Sequence, residues 1–296
     1  MHETRTYRVG DHLFAIKYSP NLLSEKELAH YAPFRAAARF DELLLFHLTI
    51  IGDDSPAMGT QVAEFIDENG RQAFYSLPEG GMALRLTAPS GTVCCMLRTT
   101  ADYTHATARL YGTAGERRYG LDTALMMLYA FSAARHSTLL LHASAVEYRR
   151  RGYLFLGKSG TGKSTHSRLW TRYVDGASLL NDDNPVVRIV DGKVFVYGSP
   201  WSGKTPCYIN RCLPIGAIVR LRQAPQNKIT LMRVIKAYAA LLPSCSCMKW
   251  DGAMADAVHA TISRLIGEVP VFSLECLPDE EAARICCETI TTGGDE

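Results

Sequence analysis

Eight residues constrain this chain more than any others. Gly157-Lys158-Ser159-Gly160-Thr161-Gly162-Lys163-Ser164 satisfies the pattern G-x-x-x-x-G-K-[S/T] in full. With glycine at about 7% of residues, a match arises by chance in such a chain on the order of 1% of the time. The flanks agree with a phosphate-binding loop. Residues 153–156 read as a strand and the segment from Lys163 to about Tyr173 reads as a helix. Glycines let consecutive backbone N–H groups turn toward a phosphate without Cβ clashes. The helix start adds its positive dipole end. Lys163 then reaches the β- and γ-phosphates as a point charge, and Ser164 offers a hydroxyl to Mg²⁺.

The 296 residues suggest two domains. At 47% hydrophobic and 21% charged residues, the chain can bury a sizeable core. Lys+Arg is 32 and Asp+Glu is 30, a formal net charge of +2, which gives no support to nucleic-acid or membrane-surface binding. No apolar run is long enough to span a bilayer, and the first residues are polar without an apolar signal core. The expected location is therefore cytoplasmic. Nine cysteines, with no paired C-x-x-C, read as reduced thiols.

The first third reads as strand-rich. Residues 6–9 and 13–18 flank Gly10-Asp11, a hairpin signal. Residues 43–51 form an apolar run suited to a buried strand, and Ser24 is placed to cap a short helix. From Gln61 on, turn signals at Asn69-Gly70, Gly80-Gly81 and Ser90-Gly91 predict an antiparallel meander. The pattern changes near Gly112. Residues 121–134 read as a buried helix. Strands follow at 138–146 and 153–156, then at 177–180, 186–190, 194–197 and 217–221, with helices at 231–242, 254–266 and 280–289. The expected organisation is a β-rich N-terminal domain over 1–115 and an α/β domain over 116–296.

Three further segments can carry chemistry. Asn181-Asp182-Asp183-Asn184 follows a strand some twenty residues after the loop, where Mg²⁺ needs a hard oxygen ligand. Of two adjacent carboxylates, one can hold the metal while the other takes the proton from an attacking hydroxyl. Gly198-Ser199-Pro200-Trp201-Ser202-Gly203-Lys204-Thr205 joins a flexible loop to an aromatic and a lysine. Lys204 can neutralise charge on a transferred phosphoryl group and Trp201 can pack on substrate. His142 ends an apolar strand, where it is either a core residue or a proton-exchanging group. Asn227-Lys228-Ile229-Thr230 approaches the guanine-reading N-K-x-D but carries Thr where Asp must accept two hydrogen bonds.

A His-bearing strand, a loop containing Ser-Gly-x-Gly-Lys-Ser and an Asp-Asp pair, in this order and spacing, resemble the catalytic domain of the HPr kinase/phosphorylase family. That family shares its P-loop core with the ATP-dependent phosphoenolpyruvate carboxykinases. The resemblance covers residues 135–205 and more loosely the rest of the chain. It implies an α/β, P-loop, HPr-kinase-like domain preceded by a smaller antiparallel β-rich domain, α+β overall. It implies Asp182 as catalytic base, Asp183 as Mg²⁺ ligand and His142 beside the reacting phosphate. Gly157, Lys158, Ser159, Gly160, Thr161, Gly162, Lys163, Ser164 and Thr165 would hold ATP. His142-Ala143 stands where the family has His-Gly, Lys158 replaces an acid, and no Glu-x-Arg-Gly-x-Gly stretch follows. These departures point to the broader group of HPr-kinase-like proteins, often serine kinases with diverse substrates.

The leading expectation is an ATP- and Mg²⁺-dependent kinase acting on a hydroxyl, serine free or in a peptide. Its partners are then a nucleotide, an unidentified hydroxyl-bearing small molecule or protein, and possible further copies of itself. A nucleotide-gated switch or scaffold that binds without transfer is the alternative from another class. Carboxykinase chemistry is the second enzymatic one.

Overall fold

The expected hairpin forms. In a computed structural model, which describes residues 2–38, 42–52, 56–203 and 205–291, β1 (Glu3–Val9) and β2 (His12–Tyr18) pair antiparallel. Gly10 and Asp11 between them are left-handed, with φ 54° and 60°, the handedness that matches the twist of the flanking strands. β3 (His47–Ile50) joins parallel to β2. Then come β4 (Thr60–Asp67), β5 (Gly70–Ser76), β6 (Met82–Thr87), β7 (Val93–Thr99) and β8 (His105–Leu110), the predicted meander. β8 closes on β3 in parallel, giving the order β1-β2-β3-β8-β7-β6-β5-β4. The apolar run at 43–51 is strand only from His47, where pairing to β2 and β8 begins, and Leu43 is 92% exposed. Ser24 caps a turn, its N–H and Oγ both donating to Glu27 Oε2.

Helix α1 (Ala114–Ala133) packs on β6, β7 and β8. Thr113 and Glu116 cap its start reciprocally, the Thr113 N–H donating to the carboxylate at 2.8 Å and the Glu116 N–H to the Thr113 hydroxyl at 3.4 Å. Near its other end the Tyr129 hydroxyl donates to Val9 O at 3.0 Å. These contacts tie the helix to the first sheet. The chain accordingly divides into compact units at Met1–Ala133 and Ala134–Glu296, eighteen residues beyond the expected boundary, which placed this helix in the second domain.

The second unit is built around one long strand. Its elements are β9 (Thr138–Leu140), β10 (Ala143–Tyr148), β11 (Arg151–Leu156), α2 (Lys163–Tyr173), β12 (Ser178–Asp183), β13 (Val186–Val190), β14 (Lys193–Tyr197) and β15 (Cys212–Gln223). β16 (Lys228–Leu231), α3 (Val234–Leu241), α4 (Gly252–Glu268), β17 (Val271–Cys276) and α5 (Glu280–Thr291) complete it. β15 pairs in parallel with β11 on one side. On the other side its first residues pair with β14 and its last six with β17. The sheet therefore branches into β12-β10-β11-β15-β17-β16 and β15-β14-β13-β9. α2 and α5 pack on each other, α2 over β10, β11 and β12, and α5 against β15 and β16. Trp170, Phe155, Val219, Leu274 and Cys286 lie in the core beneath them.

Two differences from the sequence reading matter. The single strand expected at 138–146 is two, because β9 pairs with β13 and β10 with β11 and β12. The change of branch falls at Leu141-His142, and the His142 N–H donates to Ser244 O at 2.7 Å. β16 and β17 were not foreseen. Asn227, in the near-miss N-K-x-D, is a structural pin: its amide donates to Asp279 and Glu281 and accepts from the Leu277 N–H. All nine cysteines are free. No helix among the described residues is long and apolar enough to cross a membrane.

Candidate functional site

β11 runs into the Gly-rich loop and the loop into α2. Gly160 and Gly162 have φ 78° and 105°, a region in which an ordinary side chain is strained. Gly162 is the N-cap of α2, which carries no side-chain cap, so the first N–H groups of the helix keep their donors for a ligand. Gln223, the last residue of β15, donates to Gly160 O at 3.2 Å and Thr161 O at 3.4 Å. Gly157, Lys158, Ser159, Gly160 and Thr161 face Arg220, Arg222 and Gln223 across a cavity of about 390 Å³.

α2 is anchored by one face. Lys163, His166, Ser167 and Trp170 are its buried residues, at the i, i+3, i+4, i+7 spacing that puts them in one stripe. Trp170 Nε1–H donates to His166 Nε2 at 3.2 Å, and the Ser167 and Ser144 hydroxyls share a hydrogen bond of 2.6 Å. Burial lowers the His166 pKa to about 4, because desolvation penalises the cation. The unfolded chain takes up that proton near 6.5, so stability from this group is intact above pH 6.5 and falls as pH drops toward 4. The difference amounts to about 2 kcal/mol between pH 8 and pH 5. Urea unfolding of wild type and His166→Gln at those two pH values checks this. The variant loses the His166 share of the pH dependence, and an unchanged slope contradicts the assignment.

At the top of the stripe Lys163 is 8% exposed. Its ammonium donates to Gly157 O at 3.0 Å and meets His142 Nε2 at 2.7 Å. An ammonium has no acceptor, so Nε2 accepts and the imidazole proton sits on Nδ1, which faces Asp183 Oδ1 at 3.2 Å. The result is a line from Asp183 through His142 to Lys163 and the loop. Burial pulls the Lys163 pKa down, and the Asp183 and Asp182 charges oppose that shift.

The acid pair is set by the end of β12. Asn181 is fully buried, its Nδ2–H donating to Ser199 Oγ at 3.1 Å and its Oδ1 accepting from the Asn184 N–H at 3.0 Å. Asp183 has φ 139°, a costly conformation for a residue with a side chain. Its Oδ2 accepts from Asn184 Nδ2 at 2.8 Å. Asp182 is 3% exposed and its carboxylate accepts no hydrogen bond among the described residues. Its carbonyl accepts from the Gly203 N–H at 2.5 Å and from Ser202 Oγ at 3.2 Å.

The structure thus brings together His142, Gly157, Lys163 and Asp183, and sets Asp182 within charge reach of Lys163. Ser164 follows Lys163 on the first turn of α2, half-buried, with Thr165 beside it. Lys158 and Ser159 are exposed at the loop tip. Lys204 lies outside the described residues. Trp201, considered as a surface for substrate, is 4% exposed and gives its ring to the interior.

No protein-family model matches this chain, and no curated protein matches its sequence. A solved structure does match. It is the HPr(Ser) kinase/phosphatase from Coxiella burnetii, 13% identical, with a TM-score of 0.32, the match covering 52% of this chain and 88% of that one.

Sequence reasoning missed the supports of the site. Gln223 and the His166–Trp170 pair belong to no motif, and Asn181 and Ser199, inside two of the segments singled out, were given no part in holding the acids in place. The stripe at 163, 166, 167 and 170 was the available signal. The helix was read, but the polar residues of this stripe did not mark it as the buried face.

Proposed function

We propose that the second unit is an ATP-dependent kinase that transfers the γ-phosphoryl group to a hydroxyl acceptor, serine free or in a peptide or protein. The observation that carries this reading is the Lys163 ammonium, held between Gly157 O and His142 Nε2 at the uncapped start of α2, with two carboxylates alongside. Phosphoryl transfer asks a protein mainly for positioning and charge neutralisation, and those are what this arrangement offers.

Mg²⁺ fits the donor set. Among the described residues no group of three His, Cys, Asp or Glu could hold a metal, which excludes a closed cage built from them alone. The Ser164 hydroxyl and the Asp183 carboxylate are hard oxygen donors, and Mg²⁺ characteristically takes one or two such ligands plus substrate phosphates and water. Bound there, it would neutralise charge on the β- and γ-phosphates.

In the proposed reaction the phosphate tail lies on the loop N–H groups, and Lys163 leaves His142 to meet it. Asp182 accepts the proton of the attacking hydroxyl. The new O–P bond forms as the bond between the γ-phosphorus and the bridging oxygen breaks, its electrons going to the departing diphosphate. His142, held by Asp183, stands beside the transferred group.

The burial of Asp182 favours the alternative of a nucleotide-gated switch, since an acceptor must reach that carboxylate for transfer to occur. Incubation with γ-labelled Mg·ATP and pools of free amino acids, metabolites and protein extract separates the two. Label in a hydroxyl ester supports the kinase. Label recovered only as free phosphate, or no turnover despite tight binding, overturns it.

A further inference from the structure

The cations of β15 do not end at the loop. Arg220 and Arg222 sit two apart on this strand, and both wall the cavity of the Gly-rich loop. Both also wall a second cavity, of about 520 Å³, formed with β16, β17 and the start of α3. Lys228, Arg233 and Lys236 face it too, and Glu275 is the one carboxylate of its lining.

That carboxylate is already engaged, since Glu275 Oε1 lies 3.1 Å from Arg222 Nη1. Arg220, Lys228, Arg233 and Lys236 have no ion-pair partner among the described residues. Four unmatched cations around one concavity repel each other, and an anion inside relieves that repulsion. The helix start adds to it. Arg233 is the N-cap of α3, with no side-chain cap, and the first turn carries no acidic residue. Its unpaired N–H groups and dipole therefore favour negative charge, as the neighbouring lysine and arginines do.

We propose that this cavity is a second anion site, suited to the phosphate group of a small phosphorylated ligand, and contiguous with the loop cavity through Arg220 and Arg222. The site is independent of the kinase reading. Lys228, Arg233 and Lys236 line this cavity and not that of the loop.

The test uses inorganic pyrophosphate as probe, by calorimetry on the full chain at low ionic strength without added metal. The parent is Lys163→Met, which weakens the loop site. Arg233→Gln/Lys236→Gln is then added to it. Both positions are exposed, so the fold is not at stake. The expected result is that the parent keeps pyrophosphate binding and that the added pair weakens it at least tenfold. As a charge control, Lys193→Gln/Lys249→Gln, also exposed, removes the same charge elsewhere and leaves binding within twofold. The proposal is overturned if the parent binds no pyrophosphate, if the Arg233/Lys236 pair leaves its affinity unchanged, or if the control pair weakens binding equally.

Discussion

Replacing Lys163 by alanine is expected to lower phosphoryl transfer by about 10³ and to weaken nucleotide binding at least tenfold, the scale of losing a charged donor from a preorganised site. The ammonium is desolvated before any ligand arrives, which strengthens its attraction to a phosphate relative to one in water. Its two protein partners, a carbonyl and a neutral imidazole nitrogen, are weaker than a phosphate oxygen, so exchange is downhill. Arginine is not expected to rescue the change. A guanidinium is a planar fork and cannot act as a compact point charge. Equilibrium titration with Mg·ATP checks the prediction, alongside label transfer. Wild-type binding by Lys163→Ala removes the loop from the account.

The largest expected loss of stability is at the other end of the same stripe. Trp170→Ala is expected to cost about 3–5 kcal/mol, the range for truncating a large buried aromatic. The indole is 0% exposed. Its ring lies 5.4 Å from both Tyr153 and Phe155 and 6.2 Å from Tyr148. The substitution also removes the donor to His166 Nε2, leaving that nitrogen buried and unpartnered. Because Lys163 and Trp170 share one face of α2, loosening the anchor loosens the lysine. Trp170→Phe, which refills most of the volume, is expected to lose less than half as much. Urea unfolding of the three proteins gives the comparison. A midpoint for Trp170→Ala within error of wild type contradicts the packing described.

The parts of this architecture that were legible in the sequence are those set by local chemistry. Gly10-Asp11 predicted a hairpin because few other residues accept the left-handed turn it needs. The turn signals after Gln61 predicted the meander, and the strand from Val186 to Val190 was read with its observed limits. The Gly-rich loop was visible because each of its residue types has a steric or electrostatic reason to be there. What escaped depends on distant partners. The run at 138–146 is mostly apolar and carries no turn residue, so it was read as one strand, yet it leaves one branch of the sheet for the other at Leu141-His142, and that break sets His142 at the loop. β16 and β17 exist because β15 has a free edge, which no short window reveals. Helix α1 was recognised but assigned to the wrong unit, because its period shows that it is buried and not against which sheet. Asp182 and Asp183 were singled out as a pair. Only the structure separates a buried carboxylate, Asp182, from a half-exposed one that faces His142 Nδ1.

The central claim is that the loop, Lys163 and the acid pair act on one transferred group. It is tested most directly by Asp182→Asn, with Mg·ATP binding and γ-label transfer measured on the same preparations. Asparagine keeps the shape of the side chain and removes its capacity to take a proton. The account predicts nucleotide affinity within threefold of wild type and transfer reduced by about 10² or more, the contribution of a positioned general base. Transfer by Asp182→Asn at the wild-type rate would contradict it.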